Sequence, residues 1–219
     1  MTDAWDAARY DRFAEQRRRP LLDLLERVPP APGGRAADLG CGSGWATPLL
    51  HEHTRAAETV GIDSSARMLE GSDAHLVDGV RFEVGDLAAI EGTWDVLFAN
   101  ASLQWLPDQV ELVTGLVGRL RPGGTLAFQV PANFDHPSHT VADDVGRRYG
   151  LEPLDRTIGA LSPERYAEVL HAARPPRRPG RDPALLLRVP PDPGVGDPPV
   201  TATGRSCTRR AATGSRTAG

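Results

Sequence analysis

Apolar residues along this chain come in short runs separated by turn formers, and the spacing within the runs switches between strand and helix periods. Residues 20–28 have helical apolar spacing with Pro20 at a favourable first-turn position, Arg35-Ala36-Ala37-Asp38-Leu39 reads as a short strand, and residues 45–53 read as a helix. A second strand is predicted over 58–62, then a helix over 65–77 with Met68, Leu69 and Leu76 facing inward. Residues 80–84 alternate like a third strand, and 94–99 form a near-continuous apolar run, as expected of a strand covered on both faces. A helix over 107–120 ends at Arg121-Pro122-Gly123-Gly124, and 125–130 makes a fifth strand. Ser162 opens a further amphipathic helix over 162–170. Strands alternating with helices through short connections predict an α/β fold, a doubly wound, mostly parallel sheet with helices on both faces.

Composition narrows this only a little. A chain of 219 residues suffices for one α/β domain with a proper core, and a net charge of -4 points to neither nucleic acid nor an anionic membrane as partner. Cys41 and Cys207 offer no disulfide framework and no metal spacing. His51 and His53 point to different faces of a helix, so no metal site is expected there. No apolar run approaches a membrane span and residues 1–5 do not read as a signal peptide, so a cytoplasmic, monomeric protein is expected.

The candidate chemistry starts at the first strand. Gly40, Gly42 and Gly44 let the backbone turn sharply and approach a ligand where a Cβ would collide. The turn feeds a helix whose first amides carry partial positive charge, and Asp63, ending the second strand, can accept from the two hydroxyls of a ribose. Dinucleotide sites favour G-x-G-x-x-G with a pyrophosphate on the helix amides. Here the order is Asp38-x-Gly40-x-Gly42-x-Gly44, and an acid entering the turn repels a pyrophosphate and suits a cation. Further groups lie after the third and fourth strands. Asp86 is placed either to accept from an exocyclic adenine amine, with Leu87 on the ring, or to cap a helix, and Trp105 lines the crevice or joins the core.

The glycine motif resembles the first motif of class I S-adenosylmethionine-dependent methyltransferases. A narrower resemblance, to the trans-aconitate 2-methyltransferase family, is carried by Phe98-Ala99-Asn100-Ala101-Ser102-Leu103-Gln104-Trp105-Leu106-Pro107-Asp108, by Gly61-Ile62-Asp63-Ser64-Ser65 and by Met68-Leu69. Trp5, Tyr10, Phe13, Glu15, Arg19-Pro20, Val130-Pro131, Asn133 and Pro137-Ser138-His139 fit the same family, so the resemblance runs over about residues 5–173. It implies a Rossmann-like fold, S-adenosylmethionine as cofactor, and methyl transfer to a carboxylate of trans-aconitate, giving a monomethyl ester and S-adenosylhomocysteine. Cofactor contacts are then expected from Asp38, Gly40, Cys41, Gly42, Gly44, Asp63, Ser64, Met68, Asp86, Leu87 and Asn100. A substrate with three negative charges calls for donors and cations, and the candidates are Tyr10, Arg19, Gln104, Trp105 and His139, with Arg17 and Arg18 beside them. For the arginine run the alternative is a solvated helix face, and for His139 a capping or surface histidine. No catalytic acid or base is expected, because a carboxylate is already ionised at neutral pH. Two other readings stand: a methyltransferase for another small acceptor, and a non-catalytic cofactor-binding remnant or NAD-binding module.

From Arg174 the text changes. Nine Arg stand against Asp182, Asp192 and Asp197, prolines are dense and no aromatic residue occurs, a composition that predicts a disordered tail over 174–219 after a methyltransferase domain over 1–173, of which 1–30 form a helical cap segment. The last strands of the sheet are expected to be missing, which would leave the fifth strand as an open edge. The whole chain lacks Lys, as a GC-rich gene would give, so the tail reads either as a frameshift after Ala173 or as a natural basic linker.

Overall fold

A computed structural model describes residues 14–131, 137–151, 160–173 and 184–188. Six strands form one sheet, each parallel to its neighbours: β1 Arg35–Leu39, β2 Glu58–Asp63, β3 Val80–Val84, β4 Trp94–Asn100, β5 Leu120–Gln129 and β6 Ala184–Arg188, in the order β3-β2-β1-β4-β5-β6. The helices are α1 Ala14–Leu25, α2 Thr47–Thr54, α3 Gln109–Gly118, α4 Pro137–Arg148 and α5 Pro163–Ala172.

Alternation along the strands sorts side chains to two cores. Val96 and Phe98 of β4 join Ala36 and Ala127 under α1 and α2, where Leu21, Leu24, Leu25, Val28 and Leu50 are buried. Leu97 and Ala99 turn the other way, with Leu39, Ile62, Leu126 and Phe128, under Leu112, Val113, Leu116 and Val117 of α3 and Tyr166, Val169 and Leu170 of α5. A sheet covered on both faces is the doubly wound arrangement that the run pattern predicts.

The amino ends of the strands are tied by charge. Glu58 accepts from Arg35 Nε at 2.7 Å and from Arg81 Nε at 3.0 Å, and these bonds hold its carboxyl below the usual glutamate range. The Arg35 guanidinium also lies 4.4 Å from the centre of the Trp94 ring. The carboxyl ends are thereby left free for a site, and the strand order reverses there between β1 and β4.

Three expectations need correction. Residues 65–77 form turns and a 3-10 segment, Ser72–His75, in place of a helix, because Gly71 takes φ +86°; Leu76 is consequently exposed. Pro20 sits inside α1 and not at its first turn, since burial of Leu21, Leu24 and Leu25 holds the helix through the proline. The third concerns the tail: β6 pairs with β5 from Thr125↔Ala184 to Gln129↔Arg188, so β5 is not an open edge. Ala184-Leu185-Leu186-Leu187 is an apolar run with Pro183 and Pro190 outside it, and it occupies an edge position, where flanking prolines are tolerated.

Pro20 deprives α1 of one helical hydrogen bond, to the carbonyl of residue 16. Replacing it, Pro20→Ala, is expected to raise stability by about 2 kcal/mol after the entropy gained by the unfolded chain is subtracted, read as a higher denaturation midpoint at unchanged slope.

Candidate functional site

β1 ends at Leu39, and Gly40 follows at φ +72°. A Cβ at Gly40 would lie 2.3 Å from the Ser102 Cβ, so the chain after β4 packs directly against the backbone after β1. Ser102 closes this contact by donating its hydroxyl to the Leu39 carbonyl at 2.5 Å. On the other flank the amides of Gly40 and Cys41 both reach the Ile62 carbonyl, at 2.8 and 3.1 Å. Gly44, at φ +84°, lies so close to the Phe82 ring that a Cβ would stand 2.6 Å from it.

The Asp63 carboxylate is the junction of this wall. One oxygen accepts from the Gly42 amide and the other from the Ser65 amide, each at 2.9 Å. A carboxylate has about four acceptor positions, of which these two amides take roughly half. Ser64 is exposed beside it, while Ser65 Oγ accepts from the Met68 amide at 3.1 Å and Met68 is buried.

Asp38 is only 3 % exposed, and Thr47 from the start of α2 donates its hydroxyl to it at 2.7 Å. Burial pushes the Asp38 carboxyl up to about 6, a rise that the Thr47 bond lowers and the charge of Asp63 adds to. Burial likewise, and then these two carboxylates, keep the Cys41 thiol protonated far above the usual thiol range. Two acids at one glycine turn, one of them buried with no cationic partner among the described residues, make a place that favours a positive ligand.

Asp86 is exposed and accepts from the Ala88 amide at 2.9 Å, capping the short turn Leu87–Ala89; Leu87 is buried. The capping alternative therefore holds, and one carboxylate oxygen is left over. Asn100 ends β4 and accepts from Gln129 Nε2. Gln104 is buried and donates Nε2 to the Ala101 carbonyl at 2.8 Å. Its Oε1, like that of Gln129, is buried with no partner among the described residues. Trp105 is 57 % exposed and belongs to the surface, not to the core.

Arg18 and Arg19 are exposed on α1, the solvated face that the alternative reading describes. Tyr10 and the side chains of Arg17 and His139 lie outside the described residues. His51 pairs with Thr59 Oγ1 at 2.9 Å and His53 with the Val28 carbonyl at 2.8 Å, so the two histidines do take separate surroundings. Among the described residues no helix is long and apolar enough to cross a membrane.

A family model described as a methyltransferase domain matches residues 13–173. Proteins named trans-aconitate 2-methyltransferase are similar to it: one from Deinococcus radiodurans is 40% identical over 174 residues, covering 76% of this chain and 67% of that protein. One from Rhizobium meliloti is 42% identical with the same coverage, and one from Streptomyces coelicolor 43% identical, covering 77% of this chain and 60% of that protein. The chain belongs to the class I S-adenosylmethionine-dependent methyltransferases.

This methyltransferase spans about two thirds of the length of the curated relatives it matches. Its fold is that of the methyltransferase in a complex with the Haloferax volcanii Trm112 methyltransferase activator, with TM-score 0.61, 22% identity and coverage of 76% of this chain and 72% of that one. The YcgJ protein of Bacillus subtilis superposes with TM-score 0.54 at 17% identity, over 71% and 68% of the two chains. S-adenosylmethionine, the cofactor of the family, carries a sulfonium, an ammonium and a ribose diol. Buried Asp38 and the remaining acceptor positions of Asp63 fit such a ligand and would disfavour a pyrophosphate.

Thr47, Ser102 and Gln129 escaped the sequence reading. Thr47 alone had a local signal, an oxygen in the first turn of the helix that follows a buried acid. Ser102 and Gln129 act across strands far apart in sequence, which no spacing shows.

Gly40→Ala would place a methyl against Ser102 and force a non-glycine residue to φ +72°. The expected loss is about 3 kcal/mol in chemical denaturation, and a second change, Ser102→Gly, should relieve the clash but give up the Leu39 hydrogen bond, so the pair recovers only part of the loss.

Asp38 also predicts a pH dependence. Its folded carboxyl titrates near 6 and its unfolded one near 3.8, so the native state holds more protons between these values. Stability contributed by this group should therefore fall as pH rises from about 4 to 6, by roughly 3 kcal/mol at most, and stay level above. Affinity for a cationic ligand should move the opposite way, improving as pH passes about 6. Asp38→Asn should remove both dependences in denaturation and calorimetric titrations.

Proposed function

We propose that this chain transfers a methyl group from S-adenosylmethionine to a carboxylate of trans-aconitate or a closely similar small polycarboxylate, giving the monomethyl ester and S-adenosylhomocysteine. The observation that carries this reading is the likeness, at 40–43% identity over about three quarters of the chain, to proteins named trans-aconitate 2-methyltransferase.

The cofactor supplies an activated methyl on a sulfonium. Asp63 would hold the ribose diol, and ionised Asp38 would favour the cationic end through the Gly40–Gly44 turn. Met68 and Leu87 would supply apolar surface to the adenine ring, with the spare oxygen of Asp86 for its amine. Asn100 and the unpaired Gln104 and Gln129 oxygens offer acceptors on the opposite wall. Cys41 and Ser64 would contact the cofactor through the turns in which they stand.

For the acceptor, Gln104, Trp105, Tyr10, Arg19 and His139 are the candidate contacts. Its carboxylate attacks the methyl with an oxygen lone pair while the sulfur leaves with the bonding pair, so no proton has to move and no side chain acts as acid or base. What the protein does is align the two ligands and exclude water, effects worth roughly 7–11 kcal/mol in well-oriented systems. Catalysis by one chain with a small molecule is the partner set this reading requires, and the working domain is 1–173, with β6 of the tail covering the β5 edge of its sheet. The change of composition at Arg174 supports a reading frame lost there, with the tail 174–219 standing in for family sequence.

Release of S-adenosylhomocysteine from purified protein, S-adenosylmethionine and trans-aconitate tests this directly, with a frame-restored chain run alongside. Trans-aconitate-dependent release is expected from at least the restored chain, and none from either would defeat the reading. Asp63→Ala should weaken cofactor affinity by at least tenfold in calorimetry, because it removes both the diol acceptors and the grip on the Gly42 amide.

A further inference from the structure

The segment between β4 and α3 carries Gln104 and Trp105, and its backbone is held in an uncommon shape. Ala101 and Asp108, neither of them glycine, take φ +53° and +51° at its two ends. Such conformations persist only where surrounding bonds over-determine them.

Those bonds converge on one buried carboxamide. Gln109, 2 % exposed at the first turn of α3, donates Nε2 to the Leu103 carbonyl at 2.7 Å and to the Leu106 carbonyl at 2.8 Å. Both amide hydrogens are thereby used. The remaining atom, Oε1, accepts from the Tyr166 hydroxyl of α5 at 2.7 Å. Tyr166 is 1 % exposed, and its ring meets Phe128 of β5 edge to face with centroids 5.3 Å apart. The two carbonyls fix which way round the Gln109 amide points, since a flipped amide would set its oxygen against both of them, and the Tyr166 hydroxyl then holds that oxygen in place.

We propose that Tyr166 and Gln109 are positioning residues for the acceptor: through this chain of bonds α5 sets the placement of the Leu103–Trp105 turn and hence of Gln104 and Trp105. The inference rests on the function proposed above for its choice of acceptor. Neither residue lies in the Gly40–Asp63 wall, so the cofactor side should not depend on them.

Tyr166→Phe keeps the ring against Phe128 and removes only the hydroxyl, and Val169→Ala, on the same helix and equally buried, gives a control that destabilises α5 without touching the network. The probes are S-adenosylhomocysteine and, with it bound, trans-aconitate, both by calorimetry, together with hydrogen exchange of the Trp105 and Leu106 amides, which donate to the Ser102 and Leu103 carbonyls. Tyr166→Phe is expected to weaken trans-aconitate at least fivefold, keep S-adenosylhomocysteine within twofold, and speed exchange at these amides tenfold or more. Val169→Ala should do none of this at a comparable loss of melting temperature. Equal weakening of both ligands, or the same pattern in Val169→Ala, would overturn the proposal. Should neither the unaltered nor the frame-restored chain bind trans-aconitate, the acceptor assignment falls by itself, and exchange unchanged in Tyr166→Phe would then overturn the positioning role separately.

Discussion

The Asp63 carboxylate holds the Gly42 amide with one oxygen and the Ser65 amide with the other, and the geometry of the cofactor wall follows from that grip. The glycine turn has no side chain of its own to anchor it, and its backbone spans two neighbouring strand ends. Tying it to the carboxyl end of β2 fixes the turn at the point where strand order reverses between β1 and β4. The same group can then be a structural acceptor and a ligand acceptor at once, because a carboxylate has more acceptor positions than two amides occupy. This also explains why an amide side chain would be a poor substitute: it would present donors to donors on one side.

A second acid in the same turn carries an electrostatic cost. Asp38 is buried, has a single hydroxyl donor in Thr47, and stands within the field of Asp63. Desolvation is the largest of these effects, and it leaves the group close to half-ionised under mildly acidic conditions. A cationic ligand would offset that cost on binding, which would turn part of it into affinity under the proposed function. An anionic cofactor would increase the cost.

The strands, the two-faced sheet and the strand-end acids were legible in the chain because each is a local signal: apolar runs of four to seven residues, glycine spacing, an acid closing a strand. What was not legible was long-range. Ser102 bonds to Leu39 across 63 positions and Tyr166 to Gln109 across 57, and no local spacing shows either bond. Helical spacing over 65–77 misled because Gly71 in the left-handed region outweighs periodicity, and Pro20 misled in the opposite direction because buried leucines outweigh a proline. Density of proline misled once more at β6, where position mattered and not count: the prolines bracket the apolar run and leave its five residues to the ladder.

The two walls of the crevice are therefore built by different means. The proposed cofactor wall is held by backbone amides on a carboxylate and by the close approach of Gly40 to Ser102 and of Gly44 to the Phe82 ring. The acceptor wall is a strained turn after β4 whose shape is fixed from outside, by Gln129 of β5 and by Gln109 and Tyr166 from two helices. The two walls meet where Ser102 donates to the Leu39 carbonyl and otherwise rest on separate supports. A family that keeps its cofactor and changes its acceptor needs that separation, and in this chain it falls between β1 and β4.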